Sequence, residues 1–419
     1  MCAQLRCGRD SSAFEPSVSS HRAGGASSDF LSDLDLFKSR SLVLATDREK
    51  LNADAITTTS RFLQWTPKLS AAIGKANERL DGSVPSSSYD SNYWYWRANA
   101  DWNLFRGGGD AFSWKAARAN EAAQRYQIES QELKTELTGA QVIFRRLELR
   151  DIHAAQVELL KLKEETIRIG RDRYRQGKIS LQEVTKMEVD LSQQENAVRQ
   201  AEIDLAENEA AYRAFFVDSL KTNQWPFSES QTLSMENSPG SLETKSAVLR
   251  ASAALASWKS TRAQHFPSVD LHFSFRESPL KMPHDDLWSG TLELSIPFWS
   301  RFETASDSAQ SYAAALKAEN QAATSAREEG LHRDFLKKKM ELSRENMKEA
   351  RLNLEKSSRL YRDMLRSFQL GRLSTNDLFQ EQDRKIRALI SYSNSRYSYH
   401  DSVVEACALW GLSVRSCLR

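Results

Sequence analysis

Glycine and proline are scarce in this sequence. Among 419 residues there are 16 glycines and 9 prolines, and two stretches, 86–225 and 298–419, contain no proline at all. Proline removes a backbone hydrogen-bond donor and clashes with the preceding helical turn, so proline-free stretches of this kind permit very long helices. We therefore do not expect a chain of two or three compact domains.

A long hydrophobic run is also absent, as is an excess of charge of one sign. No run of about 18 apolar residues occurs, which excludes a transmembrane helix on length grounds. The 58 basic and 56 acidic residues are spread along the chain, so no face is basic enough to predict nucleic-acid binding. A membrane role would require β-strands.

Residues that could carry chemistry are few and dispersed. The cysteines, Cys2, Cys7, Cys407 and Cys417, lack zinc-like spacing, and the 7 histidines are scattered. No nucleophile, base and orienting group occur together. We predict no metal, no cofactor and no catalytic residue, and hence not an enzyme. The disulfide state of the cysteines stays open.

The first segment, residues 1–28, is polar and rich in serine, glycine and alanine. It lacks the apolar core of a secretory signal peptide. We predict a disordered leader, with no signal peptide visible in this sequence.

An internal repeat with an offset of about 195 residues organises the rest of the chain. Its landmarks are WTPKL at 65–69 and HFPSV at 265–269, NLFR at 103–106 and IPFW at 296–299, and YRQG at 174–177 and FQLG at 368–371. The landmarks keep the same order in both copies. We predict repeat 1 over 29–225, a linker over 226–245 and repeat 2 over 246–419.

Each repeat contains two segments in which apolar and polar residues alternate with period two. This pattern predicts strands at about 66–77 and 92–105 in the first repeat, and at about 267–277 and 287–298 in the second. Strands of about 9 to 11 residues cross a bilayer when tilted. The alternative is a pair of hairpins that pack on a soluble core.

Aromatic side chains lie near the ends of these predicted strands. Trp94, Trp96, Trp102, Trp288 and Phe298 are the residues concerned. An aromatic ring with a polar edge suits the boundary between lipid and water. We predict that these side chains lie at a membrane interface.

Helical patterns surround each pair of strands. A single first helix is predicted from one apolar face, which comprises Phe30, Leu34, Phe37, Leu44, Leu51 and Ala55. Very long helices are predicted from Asp110 to about Arg173 and from Glu303 to about Ser367. A turn near 177 or 371 and a returning helix follow. Apolar residues of the returning helices are spaced three and four apart, which is typical of coiled coils.

Four membrane-length strands cannot close a barrel, and an open strand edge in lipid leaves backbone groups unpaired. The chain is therefore expected to oligomerise. A trimer would form a twelve-strand barrel, and helices projecting from it would extend the tube into water. The predicted fold class is an α+β membrane protein with two tandem repeats, each giving two membrane strands and a long coiled-coil hairpin.

These segments resemble the TolC family of outer membrane efflux proteins over most of the chain, from about Ser28 to Leu412. The matching motifs are LFRGG at 104–108, YRQGKISLQEV at 174–184, FQLGRLSTNDL at 368–378 and ALWGL at 408–412. The resemblance implies a trimeric β-barrel continued by an α-helical barrel through the periplasm. It also implies an export duct that docks a periplasmic adaptor protein and an inner-membrane pump or secretion ATPase.

The resemblance also assigns roles to residues. Gly177, Lys178, Gly371 and Arg372 would form the periplasmic tips where the adaptor docks, and Glu183 and Asp377 would be entrance carboxylates in the second turn of the returning helices. The sequence departs from the best-known member at Phe368, Leu373 and Gln380, so the same polar gate is not expected. Alternatively, the glycines simply cap helices and the carboxylates offset helix dipoles.

The predicted function is therefore the outer-membrane channel of a tripartite efflux or type I secretion system. A periplasmic coiled-coil adaptor or a soluble coiled-coil scaffold is the alternative function. An adaptor would carry one helical hairpin, whereas this sequence predicts two. The exported substrate and the pump class stay open.

Overall fold

The computed structural model describes residues 23–81, 88–215, 221–227, 240–277, 288–297, 301–370 and 372–417. The elements of the first half are α1 (Ala23–Arg40), α2 (Leu42–Leu63), β1 (Lys68–Asp81), β2 (Ser88–Arg106), α3 (Gly109–Arg175) and α4 (Leu181–Phe215). Those of the second half are α5 (Leu242–Ala263), β3 (Ser268–Glu277), β4 (Trp288–Ser295), α6 (Arg301–Gln369), α7 (Thr375–Leu409) and α8 (Val414–Cys417).

Several predicted boundaries need correction. The leader predicted over 1–28 ends too late, because α1 already begins at Ala23; residues 1–22 lie outside the described part. The linker predicted over 226–245 also ends too late, since α5 begins at Leu242. Ser41 divides the single first helix that the apolar spacing predicted, because its side chain accepts a hydrogen bond from Leu44 N and caps α2.

The same local signals end the helices that precede each pair of strands. α2 and α5 end four residues before Pro67 and Pro267, because the residue before a proline is disfavoured in a helix. In both copies the chain leaves the helix in a tight turn, with Thr66 N donating to Leu63 O and Phe266 N donating to Ala263 O. Both strands β1 and β3 then begin directly after the proline.

The four strands form one antiparallel sheet in the order β1-β2-β3-β4. The central pairing of β2 with β3 joins the two halves of the chain. Its register shifts between Asn103 and Phe105, which is a β-bulge next to the end of β2. Within the described residues, β1 and β4 have no partner strand on their outer edges.

Two helices are far longer than a compact domain requires. α3 has 67 residues and α6 has 69. At 1.5 Å per residue each is a rod of about 100 Å. α3 packs against α2, α4, α5 and α7, and α6 packs against α5 and α7. The result is a long helical bundle with the sheet at one end.

The largest buried cluster lies midway along α3, where the beginning, middle and end of the chain meet. Phe30 of α1 stacks on Phe144 of α3 with ring centroids 5.5 Å apart, and Val404 of α7 is fully buried beside them. Burying a side chain such as Phe144 stabilises the fold by about 1.5–3 kcal/mol. This cluster therefore fixes both chain ends on the long helix.

Buried polar contacts hold the irregular segments to the same region. The Asp33 carboxylate accepts hydrogen bonds from Lys221 N at 3.1 Å and Thr222 N at 2.9 Å. The Glu136 carboxylate accepts from Val414 N at 3.0 Å and from Lys38 Nζ at 2.8 Å. These bonds satisfy backbone groups that have no helical or strand partner.

A disulfide joins Cys407 of α7 to Cys417 of α8, which settles for this pair what the sequence left open. It closes a loop over the segment that turns back from α7 onto α3. Cys2 and Cys7 lie outside the described residues.

His400 of α7 is surrounded by aromatic side chains. Its ring stacks on Trp225 at 4.7 Å and on Phe227 at 5.4 Å, and Phe144 lies 5.5 Å away. Burial lowers the pKa of His400 well below its ordinary value, and the Arg396 charge lowers the pKa further. His400 is therefore neutral at pH 7 and acts as a packing residue.

Candidate functional sites: the helical tips and the sheet

The turn between α3 and α4 forms the first helical tip. Gly177 has φ +69°, and a Cβ added to it would meet no atom within 4 Å. Its N–H donates to Tyr174 O at 2.8 Å, and Lys178 N donates to Arg173 O at 2.9 Å. The left-handed glycine thus lets the chain satisfy the last carbonyls of α3 before it reverses.

The turn between α6 and α7 forms the second tip. Gly371 itself lies outside the described residues. Beside it, Arg372 N donates to Ser367 O at 3.0 Å, which matches the Lys178 bond of the first tip. Lys178 and Arg372 are both exposed, so each tip presents a cation to solvent directly after its glycine.

The two returning helices begin with the same local arrangement. Glu183 N donates to Ser180 Oγ at 3.2 Å, and Asp377 N donates to Ser374 Oγ at 3.2 Å. Glu183 and Asp377 both lie in the first helical turn, not in the second as predicted from the sequence. They are exposed carboxylates at helix N-termini, where a negative charge is stabilised by the helix dipole.

Direct contacts hold the two tips together. Lys186 Nζ donates to Asn376 Oδ1 at 2.8 Å and joins the second turn of α4 to the first turn of α7. The Arg173 guanidinium lies 4.1 Å from the centroid of the Phe368 ring and donates to Phe368 O at 2.5 Å. Glu183 and Asp377 consequently lie at the same end of the bundle.

The pairing of α3 with α7 continues away from the tips through polar contacts. Gln382 is fully buried and its Nε2 donates to Thr166 Oγ1 at 3.0 Å. Lys163 pairs with Asp383 at 3.1 Å, and Lys385 pairs with Glu158 at 2.7 Å. Arg173 and Gln382 are contact residues that the sequence reasoning missed; the only signal for them was their place beside the repeated tip motif.

The sheet has one apolar face, which the register assigns without ambiguity. Apolar residues face each other across all three pairings, as in Ile73 with Trp96, Ala100 with Phe273, and Leu271 with Leu292. Much of this face is exposed: 79% of the Ile73 side chain, 67% of Leu292 and 45% of Phe273 are accessible. Nothing within the described part of the chain covers it.

The predicted interface aromatics lie toward both ends of this sheet. Trp94 and Trp288 are the most exposed, at 64% and 66%, and Trp96 packs on Phe275 at 4.9 Å. At the other end, Trp102 Nε1 donates to Trp65 O at 2.9 Å, where the chain leaves α2. Phe298 lies outside the described residues.

A further aromatic cluster, not singled out in the sequence, lies where α2 and α3 meet the sheet. Trp65 contacts Phe62 at 5.7 Å and Trp114 at 6.1 Å. Arg118 lies over the Trp114 ring at 5.4 Å. Helical spacing alone does not relate Trp114 to Trp65, so the cluster depends on the fold.

The opposite face of the sheet is polar. His272 Nδ1 lies 2.8 Å from Asp101 Oδ1, and His272 Nε2 lies 3.8 Å from Glu293 Oε2. Asn103 Nδ2 donates to Asp270 Oδ1 at 2.5 Å. Farther along the strands, Arg97 and Arg276 lie directly opposite each other. The alternation predicted a polar face, but these groupings depend on strand register.

None of the described helices combines the length and the apolar character that crossing a bilayer requires. In the same residues, no group of three or more His, Cys, Asp or Glu side chains could hold a metal ion.

Comparison with known proteins finds a family and a fold. Residues 62–215 match the family model described as outer membrane efflux protein. No curated protein sequence matches the chain.

Solved structures with similar folds include three bacterial outer membrane proteins. The VceC outer membrane protein of Vibrio cholerae has a TM-score of 0.79 and 12% identity, covering 92% of this chain and 97% of its own. The CmeC outer membrane channel of Campylobacter jejuni has a TM-score of 0.77 and 14% identity, covering 91% of this chain and 85% of its own. The open state of the MtrE outer membrane channel of Neisseria gonorrhoeae has a TM-score of 0.77 and 13% identity, covering 92% of this chain and 89% of its own. The resemblance to the TolC family is confirmed by the family match and by this fold.

Proposed function

Since residues 62–215 match the outer membrane efflux protein family, we propose that this chain is the outer membrane channel of an efflux system. The observation that carries the proposal is the sheet. It exposes a continuous apolar face, keeps a polar face opposite, and sits at one end of helices about 100 Å long. Such a sheet suits lipid on one side and an aqueous passage on the other.

The free sheet edges support a trimer as the working assembly. β1 and β4 have unpaired outer edges within the described residues, and such edges cost several kcal/mol per backbone group in lipid. Three protomers that pair β1 with β4 of the next copy would close one twelve-strand barrel. The repeats 29–225 and 246–419 would be equivalent building units of this tube, with its helical part in the periplasm.

Partners and mechanism follow from the same proposal. The duct is proposed to be passive, since a tube that serves as a conduit needs no chemistry of its own. The tips at Gly177, Lys178, Gly371 and Arg372 would dock a periplasmic adaptor, which would link the duct to an inner-membrane pump. A type I secretion ATPase is the other partner class that this architecture serves.

The test is fractionation and assembly. Expressed behind a functional secretion signal, the protein should fractionate with the outer membrane, and cross-linking in detergent should give a trimer. A cysteine pair placed on β1 and β4 should cross-link between protomers, whereas a pair on β2 and β3 should cross-link within one. A stable monomer that needs no detergent would instead favour the soluble scaffold or adaptor reading.

A second prediction concerns the entrance carboxylates. Each protomer brings Glu183 and Asp377 to the tip end of the bundle, so a trimer would gather several negative charges around the axis. Such charges attract cations and repel anions. The double change Glu183→Gln with Asp377→Gln should reduce the cation selectivity of the channel, measured as the reversal potential in planar bilayers.

The control separates this role from helix capping. Ser180→Ala with Ser374→Ala removes the capping hydroxyls and keeps both carboxylates. It should loosen the first turns, at about 1 kcal/mol per cap, without changing selectivity. Unchanged reversal potential in the double Gln variant would reject the entrance assignment and leave the duct proposal standing.

A further inference from the structure

Four exposed basic side chains lie where the helices meet the sheet. They are Lys115 and Arg118 near the start of α3, and Lys259 and Arg262 near the end of α5. In both helices the arginine follows the lysine by three positions, so each pair lies on one side of its helix. We call these four side chains the basic rim.

A shared aromatic ring joins the two halves of the basic rim. Lys115 Nζ of α3 lies 5.8 Å from the centroid of the Phe112 ring, and Lys259 Nζ of α5 lies 6.0 Å from the same centroid. The two helices are also joined by Ser260 Oγ, which donates to Gly109 O at 2.9 Å. The basic rim is therefore one surface that spans both helices.

Both arginines of the basic rim lie over tryptophan rings. The Arg118 guanidinium is 5.4 Å from the centroid of Trp114, and the Arg262 guanidinium is 5.8 Å from that of Trp258. An aromatic face holds a guanidinium in place and leaves its edge available for hydrogen bonds. These arginines are thus positioned to bind a second group at their edges.

Protein carboxylates do not neutralise the basic rim. Within the part of the chain that the structure describes, none of its four cations forms an ion pair with an acidic side chain. Glu121, which follows Arg118 by three positions on α3, pairs instead with Arg125 at 2.7 Å. Cations gathered on one surface repel one another, so an anion bound among them is favoured.

The basic rim adjoins the apolar face of the sheet. Trp102 lies on that face, where it pairs with Leu271, and its Nε1 donates to Trp65 O at 2.9 Å. The Trp65 ring contacts Trp114 at 6.1 Å, and Arg118 lies over Trp114. An aromatic path therefore leads from the face proposed to meet lipid to the cations beside it.

The distance along α3 places the basic rim at headgroup level. Lys115 and Arg118 follow Gly109, the first residue of α3, by six and nine positions, or about 9 and 14 Å of helix rise. The headgroup layer on each side of a bilayer is about 5–8 Å thick. Long basic side chains reach several ångströms back toward it, so their charged ends can meet the phosphate groups.

We propose that the basic rim binds the phosphate groups of anionic phospholipids in the leaflet that faces the helical part of the protein. The inference rests on the proposed function, in which the apolar face of the sheet lies in lipid. Guanidinium groups match the oxygens of a phosphate, and basic clusters next to membrane segments attract anionic lipids. The basic rim would prefer phosphatidylglycerol to phosphatidylcholine, because the choline ammonium offsets the phosphate charge.

The test titrates detergent-solubilised trimers with short-chain phosphatidylglycerol or phosphatidylcholine and measures binding by microscale thermophoresis. Wild-type trimers should bind phosphatidylglycerol at least about tenfold more tightly, and added salt should reduce this preference. The double change Lys115→Gln with Arg118→Gln should weaken phosphatidylglycerol binding at least about tenfold and leave phosphatidylcholine binding unchanged.

Two matched variants separate the position of the charge from its amount. Lys115→Arg with Arg118→Lys keeps both charges and should bind phosphatidylglycerol within about threefold of the wild type. Lys161→Gln with Arg168→Gln removes the same charge from exposed positions of α3, beginning about 70 Å along the helix from Lys115. This variant should bind phosphatidylglycerol like the wild type.

Several outcomes would overturn the inference. Wild-type trimers without a preference for phosphatidylglycerol, or equal binding by the Lys115→Gln with Arg118→Gln variant, would reject the basic rim as a lipid site. Equally tight binding of glycerol 3-phosphate, which has the phosphate but no acyl chains, would show a site for soluble anions instead of lipid. Wild-type protein that forms no membrane trimer would overturn the proposed function, and this inference with it.

Discussion

Arginine at Leu292 should prevent the protein from inserting into a membrane. Leu292 lies in the middle of β4 on the apolar face, and 67% of its side chain is exposed in the protomer. A charge on the lipid face of a membrane β-barrel costs about 2–4 kcal/mol near the midplane. Each protomer would carry this cost, so the yield of outer-membrane trimer in Leu292→Arg should fall at least about tenfold, measured by fractionation and by folding into lipid vesicles.

The neighbouring residue supplies the control. Thr291 is also exposed, pairs with His272 and lies on the polar face beside Glu293. Thr291→Arg adds the same charge at the same depth, one residue away, and should assemble like the wild type. An exposed residue of a soluble sheet tolerates such changes within about 0.5 kcal/mol. Equal yields from the two variants would therefore mean that neither face meets lipid.

The sequence could predict the elements of this fold because their signals are local. Pro67 and Pro267 mark the ends of α2 and α5, and alternation of apolar and polar residues marks the strands. The proline-free stretches contain α3 and α6 with their returning helices. Each of these features is decided by neighbours within a few residues, so a pattern is enough to find it.

Contacts between distant segments could not be predicted in the same way. The Asp33 carboxylate binds the backbone N–H groups of Lys221 and Thr222, and no pattern in either segment indicates that the two segments meet. The Arg97 and Arg276 pair depends on the register of β2 with β3, and a shift of one residue would turn one of them to the opposite face. The break between α1 and α2 at Ser41 also could not be predicted. It depends on a capping hydrogen bond, whereas the apolar spacing continues on both sides of Ser41 and indicates one helix.

The tip motif lies between these two cases. Its glycine and its capping serine are repeated in the sequence, so the turns themselves could be predicted. The position of Glu183 in the first turn of α4 depends on where the helix begins, and Ser180 decides that. The packing of Arg173 on Phe368 depends on how α3 meets the second tip. The motif thus identifies the turn, whereas the fold decides which side chains surround it.

Valine at Gly177 should abolish export while the trimer remains intact. The residue has φ +69°, a conformation that costs an L-residue about 1–2 kcal/mol and a β-branched residue more. No described atom lies within 4 Å of the added Cβ, so the cost comes from the backbone and not from packing. Gly177→Val should therefore reshape the turn and weaken the bond from Lys178 N to Arg173 O, leaving the sheet and the buried cluster unchanged.

Asparagine at Gly177 is the control that separates the effect of turn conformation from the effect of added side-chain volume. Asn adopts the left-handed conformation more readily than other side chains, so Gly177→Asn adds a polar group and keeps the turn. With the cognate adaptor and pump present, cells carrying Gly177→Val should lose export and show no adaptor cross-link at the tip, and cells carrying Gly177→Asn should retain both. Because the open space around Gly177 leaves room for an approaching partner, full export by the valine variant would mean that the adaptor docks elsewhere on the duct.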